Sequence, residues 1–281
     1  MQAEPVQKFA SGAGAALPCH FGEWLQGRLG ADGPIALVSL VPRGPGMWAR
    51  HQPAATASCR FSGGLGGIAQ PRLRRFLIDL GVPPQGRFLL RPRFVPGSGT
   101  GMSTAALLSV AVLAGYCGPP ERLVQACLAA EGASDPLMLQ DPDCLLWASR
   151  QGQVLHRMPP PPRAQLLAGF WGPPLRTCAQ DSLYADMSDL AEAWSQGPDL
   201  ATCARLASES GRRCQTLRGP LNDPTEALAR RWGALGWARS HSGSARALIY
   251  APGTVPEGAA EALRAAGLRN VQRLETGSRG G

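Results

Sequence analysis

The sequence predicts a mixed strand-and-helix fold in two units. Three observations carry that expectation. Apolar strand-like runs alternate with segments of helical period, a glycine-rich loop joins a strand to an apolar helix, and a stiff proline run, Pro159 to Pro162, interrupts the chain. A chain of 281 residues can bury one large core or two smaller ones. The proline run is the best boundary and divides the chain into residues 1–160 and 161–281.

Residues 1–16 are small and polar and read as a frayed leader. Leu17 to Gly30 is apolar but interrupted at Gly22-Glu23 and Gln26-Gly27, which suggests a strand that turns and returns before the strand Pro34 to Val41. Glu23 and Gln26 read either as surface-turn residues or as a pocket-facing carboxylate and amide. Met47 to Phe61 is strand-like and leads into a glycine-rich bend, Gly63 to Gly67. Arg72 to Leu80 has helical spacing and stops at Gly81 and Pro83. Arg87 to Val95 reads as a strand.

That strand delivers the chain into Pro96 and then Gly97, Gly99 and Gly101, followed by Ser103, Thr104 and an apolar run with no helix breaker before Gly115. Glycines permit tight turns and close ligand approach. Ser or Thr at a helix start satisfies orphan N–H groups, and that end attracts anions. The loop therefore reads as a phosphate cradle, or as a plain turn before a core helix. Next, Pro119 and Pro120 open a helix that runs to Glu131 and ends at Gly132, before the turn Ser134-Asp135-Pro136. Glu131 and Asp135 read as helix-end and turn acids, or as a Mg²⁺ ligand and a group that accepts a hydroxyl proton.

Leu145 to Leu155 has a hairpin setting around Gly152, and Gln165 to Trp171 opens the second unit as a strand. Helices are expected over Asp186 to Trp194, Pro198 to Gln215, Thr225 to Leu235 and Glu257 to Ala266. Trp237 to Tyr250 turns at the polar His241-Ser242-Gly243-Ser244 and returns as an apolar strand. A short strand, Val271 to Leu274, precedes a mobile tail from Thr276.

Composition narrows the function. The net charge is +8, yet Lys8 is the only lysine. The arginines are spread in pairs such as Arg74–Arg75, Arg212–Arg213 and Arg230–Arg231, with no dense basic run, which argues against a nucleic-acid partner. The eight cysteines form no CxxC pair, so zinc or thioredoxin-like chemistry is not expected. No signal-peptide pattern opens the chain and no apolar run is long enough to span a bilayer, so a reduced, cytoplasmic protein without a membrane partner is expected. There is no GxxxxGK[ST], GxSxG or HExxH, and no acidic residue at Rossmann spacing. Phosphate chemistry here would rest on backbone amides, a helix dipole, a metal and arginine.

Taken together, these segments resemble a known family. Pro96-Gly-Ser-Gly-Thr-Gly-Met-Ser-Thr-Ala105 looks like the phosphate-binding motif of the GHMP kinases (galactokinase, homoserine, mevalonate and phosphomevalonate kinases). Gly22-Glu-Trp-Leu-Gln-Gly27, Leu128-Ala-Ala-Glu-Gly-Ala-Ser-Asp135 and His241-Ser-Gly-Ser244 resemble, more narrowly, the L-threonine kinases of cobalamin biosynthesis, with order and spacing agreeing from Pro18 to Tyr250. His20-Phe21 stands where those relatives carry a Ser-Cys pair, and Thr100 replaces a common lysine. The resemblance implies an α+β, two-domain GHMP kinase fold, with a ribosomal-protein-like N-terminal half and a ferredoxin-like α/β sandwich as the C-terminal half. It implies transfer of a phosphoryl group from ATP to the hydroxyl of L-threonine, with Mg²⁺, towards the aminopropanol linker of cobalamin, and it is compatible with a homodimer. Homoserine as acceptor and a non-catalytic nucleotide-binding protein are the alternatives. The resemblance places Pro96, Gly97, Ser98, Gly99, Thr100, Gly101, Met102, Ser103 and Thr104 around ATP. Ser103 or Thr104 would cap the helix and, with Glu131, hold Mg²⁺. Asp135 would orient or deprotonate the acceptor hydroxyl, and Glu23, Gln26, His241, Ser242, Gly243 and Ser244 would line the amino-acid site.

Overall fold

The computed structural model describes residues 14–54, 58–175, 178 and 180–277. The strands are β1 (Gly14–Leu17), β2 (Glu23–Arg28), β3 (Ile35–Ser39), β4 (Met47–Gln52), β5 (Cys59–Gly63), β6 (Gly86–Pro92), β7 (Leu145–Ala148), β8 (Gln153–Arg157), β9 (Gln165–Phe170), β10 (Gly236–Arg239), β11 (Ala245–Tyr250) and β12 (Arg269–Glu275). The helices are α1 (Gln70–Asp79), α2 (Met102–Leu113), α3 (Pro120–Glu131), α4 (Ser188–Ser195), α5 (Leu200–Arg218), α6 (Thr225–Arg231) and α7 (Ala259–Ala265).

These elements form two sheets. The smaller has the order β1-β4-β6-β5 and carries α2, with α1 and α3 beside it. The larger has the order β12-β9-β11-β10-β2-β3-β7-β8, with α5 packed on β10 and β2 and α6 on β10 and β11. Its strands come from both sides of the Pro159–Pro162 run, and β10 meets β2 through one register pair, Arg239 opposite Glu23. One core cluster likewise draws on both sides, from Trp24 and Leu107 to Trp194 and Ile249. α2 is apolar all round and nearly wholly buried, as expected of a helix enclosed by neighbours.

Several sequence expectations are corrected. Gly14–Leu17 pairs with β4 rather than fraying, while the leader residues 1–13 lie outside the described residues. β2 runs straight through Gln26-Gly27, and the reversal comes after Arg28. A glycine there reads as a turn signal, but its cause is packing: a Cβ on Gly27 would meet the Ala185 carbonyl oxygen at 2.6 Å. Thr276, expected to open a mobile tail, is buried and bridges Pro42, and residues 278–281 lie outside the described residues.

The turn that links β10 to β11 is braced from beneath. Arg246 on β11 donates through Nε to Asp223 at 2.5 Å and through Nη1 to the Gly243 carbonyl at 3.0 Å, and both side chains of the ion pair are buried. Burial alone would raise the Asp223 carboxyl, but Arg246 and Thr225 outweigh it and hold it below the usual carboxylate range. Removing one partner of such a pair strands a buried charge. Asp223→Ala should therefore cost about 3–5 kcal/mol in urea unfolding, and the double variant Asp223→Ala, Arg246→Met should recover part of it. A cost near zero for the single variant would mean that water reaches Arg246.

Candidate active site

The cavity forms where the glycine loop, the α3–β7 turn and the β10–β11 turn converge. Gly97, Gly99 and Gly101 all have positive φ, at 80°, 80° and 68°, a region that side chains disfavour. The loop is held on three sides by backbone bonds: Gly22 N–H to the Gly99 carbonyl at 3.0 Å, Ala245 N–H to that of Ser98 at 2.8 Å, and Leu175 N–H to that of Gly97 at 2.9 Å. Contact is close enough to exclude a Cβ. One on Gly243 would come within 2.4 Å of the Ser98–Gly99 backbone, and one on Gly99 within 2.2 Å of the Ser240 side chain.

Helix α2 starts one step earlier than its hydroxyl residues suggest. Gly101 occupies the cap position in left-handed conformation, no side chain caps the helix, and the first turn holds no acid. Ser103 and Thr104 are thus helix residues rather than caps. The N-terminal amides are left for an external acceptor, the arrangement that binds anions. Thr104 is buried, and its Oγ1 accepts from the Asp135 N–H at 3.4 Å.

A buried ionic cluster faces this helix end. His20 lies between two carboxylates, with Nδ1 3.3 Å from Glu23 Oε1 and Nε2 3.3 Å from Asp135 Oδ2. Its position is set by Phe21, which packs on Phe94 and Phe170 at centroid distances of 5.2 and 5.1 Å. Burial drives the His20 imidazole towards its neutral form, but Glu23 and Asp135 more than reverse this and push it up to about 9. Burial, with Asp135 adding to it against His20, pushes Glu23 up to about 8. Burial also works against the Asp135 carboxylate, yet His20 and Thr104 hold it below the usual range. The cluster therefore favours a cationic His20 and an anionic Asp135, with Glu23 pushed towards its neutral form. Gly101 fits over it, since a Cβ there would meet the His20 ring at 2.5 Å and Asp135 Oδ2 at 3.1 Å.

On the opposite wall, Tyr184 stacks on His241 with centroids 3.7 Å apart and planes 4° from parallel. Burial, reinforced by Arg218, pushes His241 down to about 3, so this imidazole is neutral. Asp181 lies 2.6 Å from Arg218 and 3.4 Å from His241 Nε2.

Of the residues the sequence singled out, Glu23, Gly97, Gly99, Thr100, Gly101, Met102, Ser103, Thr104, Glu131, Asp135, His241, Ser242 and Gly243 line this cavity. Pro96, Ser98, Gln26 and Ser244 do not. Ser98 turns inward, with Oγ donating to the Val95 carbonyl at 2.5 Å and lying 3.0 Å from Thr100 Oγ1. Gln26 is buried in β2 and donates to the Arg239 carbonyl at 2.8 Å, clamping β2 to β10. The Ser244 carbonyl accepts from Trp171 N–H at 2.8 Å. Sequence reasoning missed His20, which showed only as a departure from relatives, and the Gly66–Ile68 bend, which also reaches the cavity. Among the described residues no cluster of three His, Cys, Asp or Glu side chains could hold a metal. No helix among them is long and apolar enough to cross a membrane.

No protein-family model and no curated sequence matches the chain. Solved structures do. The L. major mevalonate kinase in complex with R-mevalonate superposes with a TM-score of 0.63 at 14% identity, covering 100% of both chains. A phosphotransferase related to the CoA biosynthesis pathway gives 0.65 at 14%, covering 95% of this chain and 98% of the other. The homoserine kinase from Cytophaga hutchinsonii gives 0.53 at 15%, covering 96% and 95%. The chain has the α+β GHMP kinase fold.

The cluster's pH behaviour is directly testable. Because His20 sits above its ordinary value of 6.5, its stabilising contribution is complete below about pH 6.5 and is lost as pH rises through about 9. In a histidine-selective NMR titration, the imidazole missing from His20→Asn should titrate near pH 9, and the one missing from His241→Asn should stay neutral to the acid limit of folding. A His20 midpoint near the ordinary value would mean that the ion pairs are absent in solution.

Proposed function

We propose that the protein is an ATP-dependent kinase that phosphorylates the side-chain hydroxyl of L-threonine, giving O-phospho-L-threonine for the aminopropanol linker of cobalamin. The observation that carries the reading is a single cavity in which the uncapped amides of the glycine loop and α2 face an anionic carboxylate, Asp135, held by an imidazolium. The GHMP kinase fold supports a small-molecule kinase. Threonine as acceptor rests on the Gly22–Gly27, Leu128–Asp135 and His241–Ser244 segments.

The phosphates of ATP would lie against the amides from Gly97 to Ser103, where helix dipole and N–H groups favour negative charge. Glu131 and Ser103 line the same cavity and supply hard oxygen donors. That set suits Mg²⁺, which takes few protein ligands and keeps waters and phosphate oxygens. Bound there, the ion would neutralise charge on the transferring group. Asp135 would accept the hydrogen bond of the threonine hydroxyl and align its oxygen with the γ-phosphorus. As the new O–P bond forms, the bond from that phosphorus to the β–γ bridging oxygen breaks and ADP leaves. The hydroxyl proton passes to Asp135. With a loose transition state such a base is needed late, so a carboxylate of lowered basicity suffices. His20 keeps it ionised and oriented.

ADP release with Mg-ATP should depend on L-threonine, with phosphothreonine as product, when L-threonine, L-serine, L-homoserine and no acceptor are compared. Release with homoserine alone would change the acceptor, and ATP binding without acceptor-dependent release would overturn the kinase reading. Asp135→Asn should lower kcat by about 10²–10⁴-fold, the scale of a lost general base, while KM for ATP stays close to wild type. Unchanged turnover would remove Asp135 from the reaction.

A further inference from the structure

Arg150 follows β7 and lines the cavity; its neighbour Ser149 accepts through its carbonyl from the Ser134 N–H at 2.9 Å, next to Asp135, while the Arg150 guanidinium reaches the wall that carries Asp181 and Tyr184. Its Nη2 donates to the carbonyls of Cys178 at 2.8 Å and Asp181 at 3.4 Å. Its Nε and Nη1 are buried and make no hydrogen bond of good geometry, and the only group beside the guanidinium among the described residues that could answer it, the Tyr184 hydroxyl, is neutral. The carboxylate of Asp181 is taken by Arg218 and His241 instead. A buried guanidinium with idle donors is costly unless an anion completes it.

A second orphan lies in the same cavity. Glu23 Oε2 is buried and makes no hydrogen bond of good geometry, with the Ser39 hydroxyl beside the carboxyl, while Oε1 faces His20. One set of unanswered cationic donors and one unanswered carboxylate oxygen make the complement of a zwitterion. The anionic end could be sought in ATP, but the phosphate side is already furnished by the amides of the glycine loop and α2, whereas Arg150 comes from another strand.

We infer that Arg150 binds the α-carboxylate of a small hydroxy amino acid whose ammonium meets Glu23 and whose hydroxyl meets Asp135. This rests on the kinase reading above, and it makes Arg150 the residue that separates an amino acid from a plain amino alcohol.

The test compares L-threonine with (R)-1-amino-2-propanol, which keeps the hydroxyl and amine but lacks the carboxylate. Arg150→Gln should lower kcat/KM for threonine by about 10- to 150-fold, the range of hydrogen bonds to charged groups. The loss should fall mainly in KM, with activity on the amino alcohol and KM for ATP nearly unchanged. Arg150→Lys, which keeps the charge, should lose less and serves where the glutamine variant folds poorly. Equal losses on both acceptors, or a loss in KM for ATP, would overturn the assignment. Calorimetric binding of L-2-aminobutyrate, which has no hydroxyl to phosphorylate, separates this inference from the kinase reading. Binding that requires Arg150 without threonine turnover would sink the kinase reading and keep the carboxylate site. Threonine turnover with aminobutyrate binding indifferent to Arg150, or no aminobutyrate binding by the wild type, would do the reverse.

Discussion

Backbone contact among three chain segments, with no side chain between them, sets the geometry on which the cavity depends. The entry to β2, the glycine loop and the β10–β11 turn meet through Gly22, Gly99 and Gly243, and each of the three would drive a Cβ into a neighbour at 3.0 Å or less. Amide-to-carbonyl bonds then lock the loop in place, at 3.0 Å from Gly22 and 2.8 Å from Ala245. The same junction joins the two halves of the large sheet, since β2 and β10 pair at Glu23 and Arg239. The N-terminal end of α2 and the ionic cluster around His20 are therefore positioned by one feature. Arg246 and Asp223 extend it into the core by holding the Gly243 carbonyl from behind.

Charge around His20 is set by the groups that flank it. His20 is kept cationic by the two carboxylates that flank it, and in return it keeps Asp135 anionic despite burial. Glu23 takes the opposite course and is driven towards its neutral form, because a second anion beside Asp135 would be unfavourable. An approaching ammonium would reverse that balance, which couples occupancy of the acceptor site to the protonation of Glu23. On the far wall His241 is kept neutral and serves as an aromatic surface against Tyr184.

What the sequence could show followed from local chemistry. The strand–glycine loop–helix parse was legible because glycines needed for left-handed backbone stand directly before an apolar run, and the structure places all three at positive φ. The end of α3 was legible for the same reason: Gly132 has φ of +73°, and a Ser-Asp-Pro turn follows. Features that depend on distant partners were not. His20 showed only as a departure from a Ser-Cys pair, because its meaning comes from Asp135 far along the chain. Gly27 read as a turn, because nothing local reveals that Ala185 and Met187 close over β2. Ser103 and Thr104 satisfied the rule for helix caps, but Gly101 already held the cap position in a conformation their side chains disfavour. Gln26 shared a motif with Glu23 yet spends its amide on the Arg239 carbonyl of the neighbouring strand, a partner more than two hundred residues away in sequence.

The absence of lysine from the described residues bears on how the site treats its ligands. A lysine near a phosphate loop is a mobile point charge, whereas amides and arginine present donors in fixed directions. Thr100, inside the glycine loop, has its hydroxyl 3.0 Å from that of Ser98 and stabilises the loop from within. On the proposed reading, the amides at the start of α2 would attract phosphate without a net charge that competes for the Asp135 carboxylate. Among the described residues the cation in contact with Asp135 is His20, which is buried and held against Glu23 on its other side. On the proposed reading, separating the amides of α2 from the Asp135 carboxylate would let both serve one cavity: the first would gather negative charge, and the second could remain ionised beside it.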